Sequence, residues 1–206
     1  MPKVKAPLRS GPPVVVGLTG GLGAGKSTAL DLLAARGAAV LSADAVVRTA
    51  LERNPGVRRR VARLFGPAVL GPSGRPDRAQ VAAVVFRDAR ARSALERILH
   101  PVVRRVFRKR RHAHRRGWLV FEVPLLFEAG FDRGVDKTLV VWAPARVVRE
   151  RLARSRGWGA AEVRRRLSAQ MPPAEKRRRA DLVLVNDGTR AALRAAVNDL
   201  IAREMR

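Results

Sequence analysis

The stretch that most constrains this chain is Val14 to Thr28, VVVGLTGGLGAGKST, where an uncharged apolar run enters a glycine-rich loop. Val14, Val15, Val16 and Leu18 read as a strand buried in a parallel sheet. Gly20 to Ser27 fits G-x-x-x-x-G-K-[ST] in full, and Ala29 to Arg36 has helical composition. Strand, loop and helix in that order build a phosphate cradle. Gly20, Gly21, Gly23 and Gly25 let the backbone take conformations closed to other residues and approach an anion closely, with Leu22 and Ala24 between them. Amides of the loop and the positive end of the helix starting near Lys26 then favour a polyphosphate. Lys26 adds a mobile cation for the β- and γ-phosphates, and Ser27, beside Thr28, offers a hydroxyl to Mg²⁺.

The chain has 206 residues, enough for one domain with a sizeable core and a smaller inserted lobe. Aromatic residues make up only 4%, so the core must come mainly from Val, Leu and Ala. No apolar run approaches the roughly 18 residues of a membrane span. The absence of cysteine excludes disulfides and Cys-based metal sites and points to a reducing cytoplasm. Residues 1–13 read as a disordered basic leader; the alternative, a transit peptide, is opposed by its prolines.

A formal net charge of +26, nearly all of it arginine, attracts any polyanion and does not choose among them. A coding bias that writes Arg for Lys accounts for most of it. Runs such as Arg58 to Arg60, Arg108 to Arg111 and Lys176 to Arg179 then read as solvated helix faces, with no interleaved aromatic residues and no nucleic-acid-binding motif.

Gly37 stops the first helix, and Ala38 to Leu41 form a second strand. Asp44 follows it, where ligands of open α/β sheets bind. Its carboxylate can accept a proton from an incoming hydroxyl, or can cap a helix that begins near Ala45. From Ala45 to Arg116 only helical segments appear, broken at Asn54-Pro55-Gly56, Gly66-Pro67 and Gly71 to Gly74, and His100-Pro101 is expected to separate two helices. Trp118 to Phe121, Lys137 to Ala143 and Leu182 to Val185 supply three more strands. Glu122, after the third, is either a second-sphere Mg²⁺ carboxylate or a plain strand-end acid. Arg146 to Arg179 holds two basic helices around Gly157-Trp158-Gly159, either a lid over a triphosphate or a charged surface hairpin. Thr189 caps a final helix.

The fold class that follows is α/β: a five-stranded parallel sheet flanked by helices in a P-loop kinase fold, with a helical insert and a helical lid. Residues 14–44, 117–145 and 180–206 form the nucleotide-binding core, 45–116 the insert and 146–179 the lid.

Together GLTGGLGAGKST, the SAD ending in Asp44, GRPDR at Gly74 to Arg78, ILHP at Ile98 to Pro101, VPLLFE at Val123 to Glu128, SAQMP at Ser168 to Pro172 and NDG at Asn186 to Gly188 resemble the dephospho-coenzyme A kinase family. The resemblance runs from Val14 to the C-terminus. It implies transfer of the ATP γ-phosphoryl to the ribose 3′-hydroxyl of dephospho-CoA, with ATP and Mg²⁺ as cofactors. It further implies Asp44 as base, and Arg151 and Arg156 over the phosphates, with Arg154 as a substitute. Asn186 and Gly188 would help hold the nucleotide, and Arg78, His100, Pro124 and Asp44 the acceptor. A cytoplasmic monomer or weak homo-oligomer without nucleic-acid or membrane partners is expected. Two positions depart from the family pattern: Ser42 stands where the family has a first Asp, and Pro76 where it has leucine. The rivals are another small-molecule or nucleoside monophosphate kinase on this fold, a basic nucleic-acid-dependent ATPase, and a noncatalytic nucleotide-binding regulator.

Overall fold

The computed structural model describes residues 11–72, 74–156, 159 and 170–204; the side chains of Ala68, Arg78, Phe86 and Arg156, and residues 1–10 of the expected leader, lie outside the described residues. Strands β1 (Val14–Gly20), β2 (Ala39–Ser42), β3 (Trp118–Glu122), β4 (Lys137–Trp142) and β5 (Leu182–Val185) form one sheet in the order β2-β3-β1-β4-β5. The parallel register sets Val16 beside Val120, Leu18 beside both Glu122 and Leu139, and Leu139 beside Leu182. The expected α/β fold with a five-stranded parallel sheet is therefore present. β1 and β3 are buried almost throughout, which is why their sequences carry no polar alternation.

The chain divides into two units. One comprises the described residues up to Leu41 together with those from His114 onward, and the other is Ser42–Ala113. In the first, Val16, Leu18, Val120, Leu139 and Val141 meet Leu33 of α1 (Lys26–Ala35) and Leu193, Val197 and Leu200 of the C-terminal helix, α8 (Arg190–Glu204). Gly37 ends α1 at φ +94°, its amide donating to the Ala34 carbonyl and that of Ala38 to Leu33. The Thr189 hydroxyl accepts from the Ala192 amide and caps α8. Two further helices complete the described part of this unit, α6 (Ala145–Arg156) and α7 (Pro173–Arg179).

The second unit is helical: α2 (Ala43–Arg53), α3 (Pro55–Phe65), α4 (Arg78–Arg87) and α5 (Ala89–Ala113). Asn54 caps α3 by accepting from the Val57 amide, and Asp77 caps α4 by accepting from Ala79 and Gln80. Pro76 is buried and bridges Leu70. Ala50, Leu51, Val57, Val61, Val69, Val81 and Leu99 form the core.

One expectation and one alternative do not hold. His100-Pro101 does not separate two helices, because α5 runs unbroken through Pro101 for 25 residues. The missing proline N–H and ring clash cost about 3 kcal/mol, while Leu99, Val103 and Phe107 bury one face of α5, each contributing about 1.5–3 kcal/mol. Tertiary packing wins. Asp44 is not an N-cap either, since α2 already begins at Ala43 with Ser42 before it; the carboxylate lies exposed in the first turn.

The same balance yields a stability prediction. Pro101→Ala restores a helix-interior hydrogen bond at an exposed position and should raise unfolding free energy by about 1–3 kcal/mol in urea titrations. A neutral or destabilised variant would show instead that α5 needs the proline's shape.

Candidate active site

The phosphate loop is built by backbone geometry that only glycine tolerates at two points. At Gly20 (φ +155°) a Cβ would lie 2.3 Å from the Val141 carbonyl oxygen, and at Gly25 (φ +94°) one would lie 2.1 Å from Asn186 Nδ2. Gly25 immediately precedes α1, whose first N–H groups have no intrahelical acceptor and no side-chain cap. Such an end attracts an anion. Lys26 Nζ donates to the carbonyls of Gly20 and Gly21 at 3.0 and 3.1 Å, so the ammonium lies against the loop that would carry phosphate. Ser27 is exposed in the first turn.

Among the described residues no group of three or more His, Cys, Asp or Glu converges to hold a metal ion. Mg²⁺ carried on nucleotide phosphates takes only one or two protein oxygens and keeps several waters, so a hydroxyl placed like that of Ser27 fits it chemically.

A chain of hydrogen bonds holds the loop from behind. Asn186, 6% exposed, donates from Nδ2 to the Ala24 carbonyl at 2.7 Å, and its backbone amide donates to Trp142 at 2.7 Å. Arg151 on α6 closes the network: Nη1 donates to the Asn186 carbonyl at 3.0 Å, and Nη2 to Asn186 Oδ1 at 3.2 Å and the Gly188 carbonyl at 3.0 Å. The structure thus brings Ala24, Gly25, Asn186, Gly188 and Arg151 together. The Arg151 guanidinium is directed onto the Asn186–Gly188 turn. Arg154 is exposed, and the Arg156 side chain lies outside the described residues.

A second network was not foreseen. Lys176 belongs to a run expected to be solvated, and Arg177 to Arg179 are exposed, but the Lys176 side chain is fully buried. Its Nζ donates to the Pro124 carbonyl at 2.7 Å and pairs with Glu128 Oε1 at 2.9 Å. Glu128 also accepts from the Met171 amide, and Thr19, the residue before Gly20, donates its hydroxyl to the same Pro124 carbonyl. A fully buried charge persists only when paired and hydrogen-bonded, which explains why Lys176 turns inward while its neighbours do not. Pro173, three residues earlier, packs beside Gly21. The available signal was composition: six of the 43 Lys and Arg residues are lysine, so a lysine heading an arginine run was the odd residue.

Burial alone would raise the Glu128 carboxyl, but its hydrogen bonds from Lys176 and the Met171 amide outweigh that and hold it below the ordinary carboxylate value. Burial pulls the Lys176 ammonium below the usual lysine value against the opposing bond and charge of Glu128.

The other expected site residues belong to the second unit. Asp44 is in the first turn of α2, and Arg78 opens α4. His100 is half-buried on α5; burial lowers its pKa, Glu96 opposes that and Arg104 adds to it.

Residues 14–192 match the dephospho-CoA kinase family. The chain is 46% identical over 191 residues to a dephospho-CoA kinase of Anaeromyxobacter dehalogenans, covering 91% of this chain and 90% of that protein. It is 42% identical over 190 residues to one from Methylococcus capsulatus, covering 92% and 96%. The solved structure of TT1252 from Thermus thermophilus superposes with a TM-score of 0.80 at 38% identity, covering 94% of this chain and 98% of that one.

The Lys176–Glu128 pair generates a pH-dependent prediction. Because the folded Glu128 pKa is depressed, its contribution to stability is complete above the unfolded carboxylate pKa and is lost as pH falls through the folded value. Glu128→Gln leaves a buried ammonium without its counter-ion and should cost about 3 kcal/mol near neutral pH. The depressed Lys176 pKa has the opposite bearing on the variant: its unfolded state binds the extra proton, so stability recovers as pH rises toward the unfolded lysine value. Urea midpoints between about pH 4 and about pH 9 would show this. A variant that tracks wild type at every pH contradicts the pairing.

Proposed function

Because the chain belongs to the dephospho-CoA kinase family, we propose how its own residues divide the work of that family's reaction. The enzyme transfers the γ-phosphoryl of ATP to the ribose 3′-hydroxyl of dephospho-CoA, giving CoA and ADP in the last step of CoA biosynthesis. The observation that carries the assignment of roles is the preset phosphate loop, with Lys26 already lying against its carbonyls.

Phosphoryl transfer asks little covalent chemistry of the protein and much positioning. The amides from Gly20 to Thr28 take the nucleotide phosphates. Lys26 exchanges loop carbonyls for phosphate oxygens and offsets charge growing on the transferred group. Ser27 would hold Mg²⁺ through its hydroxyl, and the ion would supply neutralisation of nucleotide phosphate charge. Asn186 and Gly188 keep the turn behind the loop in register, and Arg151 fixes that turn. Arg151 and, five residues further along α6, Arg156 are the arginines assigned to the phosphates themselves.

Asp44 receives the proton of the acceptor hydroxyl and orients it for in-line attack. Its place two residues beyond the last residue of β2 supports this, since open parallel sheets bind ligands at the carboxyl ends of their strands. Its carboxylate is exposed. The family's first Asp is Ser42 here, so one carboxylate carries the step. Residues 45–116 take the acceptor, with Arg78 and His100 among its contacts, and Pro124 is the further residue assigned to it. Residues 146–179 act as a lid. A chain free of cysteine suits the cytoplasm.

Steady-state kinetics with Mg-ATP and dephospho-CoA test these roles. Asp44→Asn should lower kcat by ~10²- to 10⁴-fold, the usual worth of a general base. Near wild-type turnover would remove Asp44 from the chemistry. Lys26→Ala should lose most activity while remaining folded, and a folded Lys26→Ala enzyme close to wild type would overturn the role given to the loop lysine.

A further inference from the structure

The end of the sheet from which the phosphate loop departs holds an ammonium that none of the assigned roles uses. Among the described residues Lys176 of α7 is the one basic side chain that is fully buried. Its Nζ donates to the Pro124 carbonyl at 2.7 Å and meets Glu128 Oε1 at 2.9 Å. The same carbonyl accepts from the Thr19 hydroxyl at 3.1 Å, so both of its lone pairs are engaged. Thr19 is itself buried and adjoins Gly20, whose own carbonyl accepts from Lys26 Nζ at 3.0 Å. A Cβ at Gly21 would lie 3.4 Å from Pro173, three residues before Lys176 on the same helix. One helix thus reaches the first two residues of the loop, through Pro124 and Thr19 to Gly20 and directly at Gly21.

Stability does not call for this arrangement. Desolvating an ammonium is costly, and apolar side chains of similar volume in place of a buried ion pair are often neutral or stabilising. What the charge adds is direction. An apolar side chain packs in many orientations, whereas an ammonium held on one carbonyl and one carboxylate at hydrogen-bond distance admits few. The carbonyl it fixes stands two residues beyond β3, and the hydroxyl on the other side of that carbonyl belongs to the end of β1. That is the edge of an open parallel sheet where ligands bind. We infer that Lys176 is a positioning residue for phosphoryl transfer: with Thr19 it clamps the Pro124 carbonyl, and so sets a residue assigned to the acceptor against the loop assigned to ATP. This role rests on the dephospho-CoA kinase reaction. In-line transfer tolerates little misplacement of hydroxyl and γ-phosphoryl, and an error of about 1 Å can cost on the order of 10²-fold in rate.

The test separates positioning from stability. Lys176→Met combined with Glu128→Gln removes both charges and leaves an amide oxygen for the Met171 N–H, so the urea midpoint should stay near that of wild type. With Mg-ATP and dephospho-CoA, kcat should nevertheless fall about 10- to 100-fold. KM for ATP should hold, because the Asn186 bond to Ala24 that shapes the loop is untouched. Thr19→Val, of the same shape without the hydroxyl, should also lower kcat, and Thr19→Ser should lie nearer wild type. Combined with the Lys176 and Glu128 changes, Thr19→Val should depart from the product of the separate effects, since both act on one carbonyl. Val197→Ala, in the core beneath α8, lowers stability and should leave kcat of the folded enzyme unchanged. Wild-type kcat in the charge-free pair, an equal loss in Val197→Ala, or effects that simply multiply would each overturn the role. Wild-type kcat in Thr19→Val would overturn it too, and decides the matter if the charge-free pair does not fold. Wild-type enzyme inert toward dephospho-CoA would instead strike at the activity on which the role rests.

Discussion

A single buried hydrogen bond, from Asn186 Nδ2 to the carbonyl of Ala24, joins residues 162 apart in sequence and fixes the shape of the phosphate loop. Leaving that carbonyl buried and unpaired would cost roughly 1–3 kcal/mol, a large part of any small domain's stability. The bond also explains why position 25 must be glycine, since any side chain there would occupy the space of the amide that makes it. Arg151 in turn donates to Oδ1 of the same amide, which turns Nδ2 toward the loop. The cradle is thus held from the sheet side before a nucleotide arrives, and preorganisation of this kind lets amide dipoles stabilise charge without rearranging during the reaction.

The chain's charge is divided between two physical regimes. Most arginines sit at exposed positions, where ionic strength screens them within about 10 Å and each contributes little to stability. Lys176 is the contrary case. Buried beneath the segment after β3, it ties α7 to Pro124 and Glu128, and the same Pro124 carbonyl is bonded by Thr19 at the entrance to the loop. Two networks therefore reach the loop, one through Ala24 and one through Thr19. Both draw on residues late in the chain, Asn186 in the first and Lys176 in the second.

Much of the fold was legible because it is written locally. An uncharged run marks each buried strand, glycine marks the loop and the end of α1, and Asn54 and Asp77 mark helix starts by the chemistry of their own side chains. What local reading missed depends on partners distant in sequence. Pro101 looked like a break, and only the core beneath Leu99, Val103 and Phe107 shows why α5 continues. Lys176 looked like one of four solvated cations, and only Glu128, 48 residues earlier, shows why it is buried. The motif residues of the site were named from the sequence, but the partners that hold them were not: nothing near Arg151 in the chain indicates that it bonds a turn 35 residues away.

The most direct test of the account is identification of the product. Purified protein incubated with Mg-ATP and dephospho-CoA should yield ADP and a molecule heavier by one phosphate, with phosphorus and proton NMR placing that phosphate on the ribose 3′-oxygen. Parallel incubations with shikimate or a nucleoside monophosphate should give no phosphorylated acceptor. Phosphate at any other position, or efficient transfer to one of those alternatives, would contradict the reaction on which the assigned roles depend.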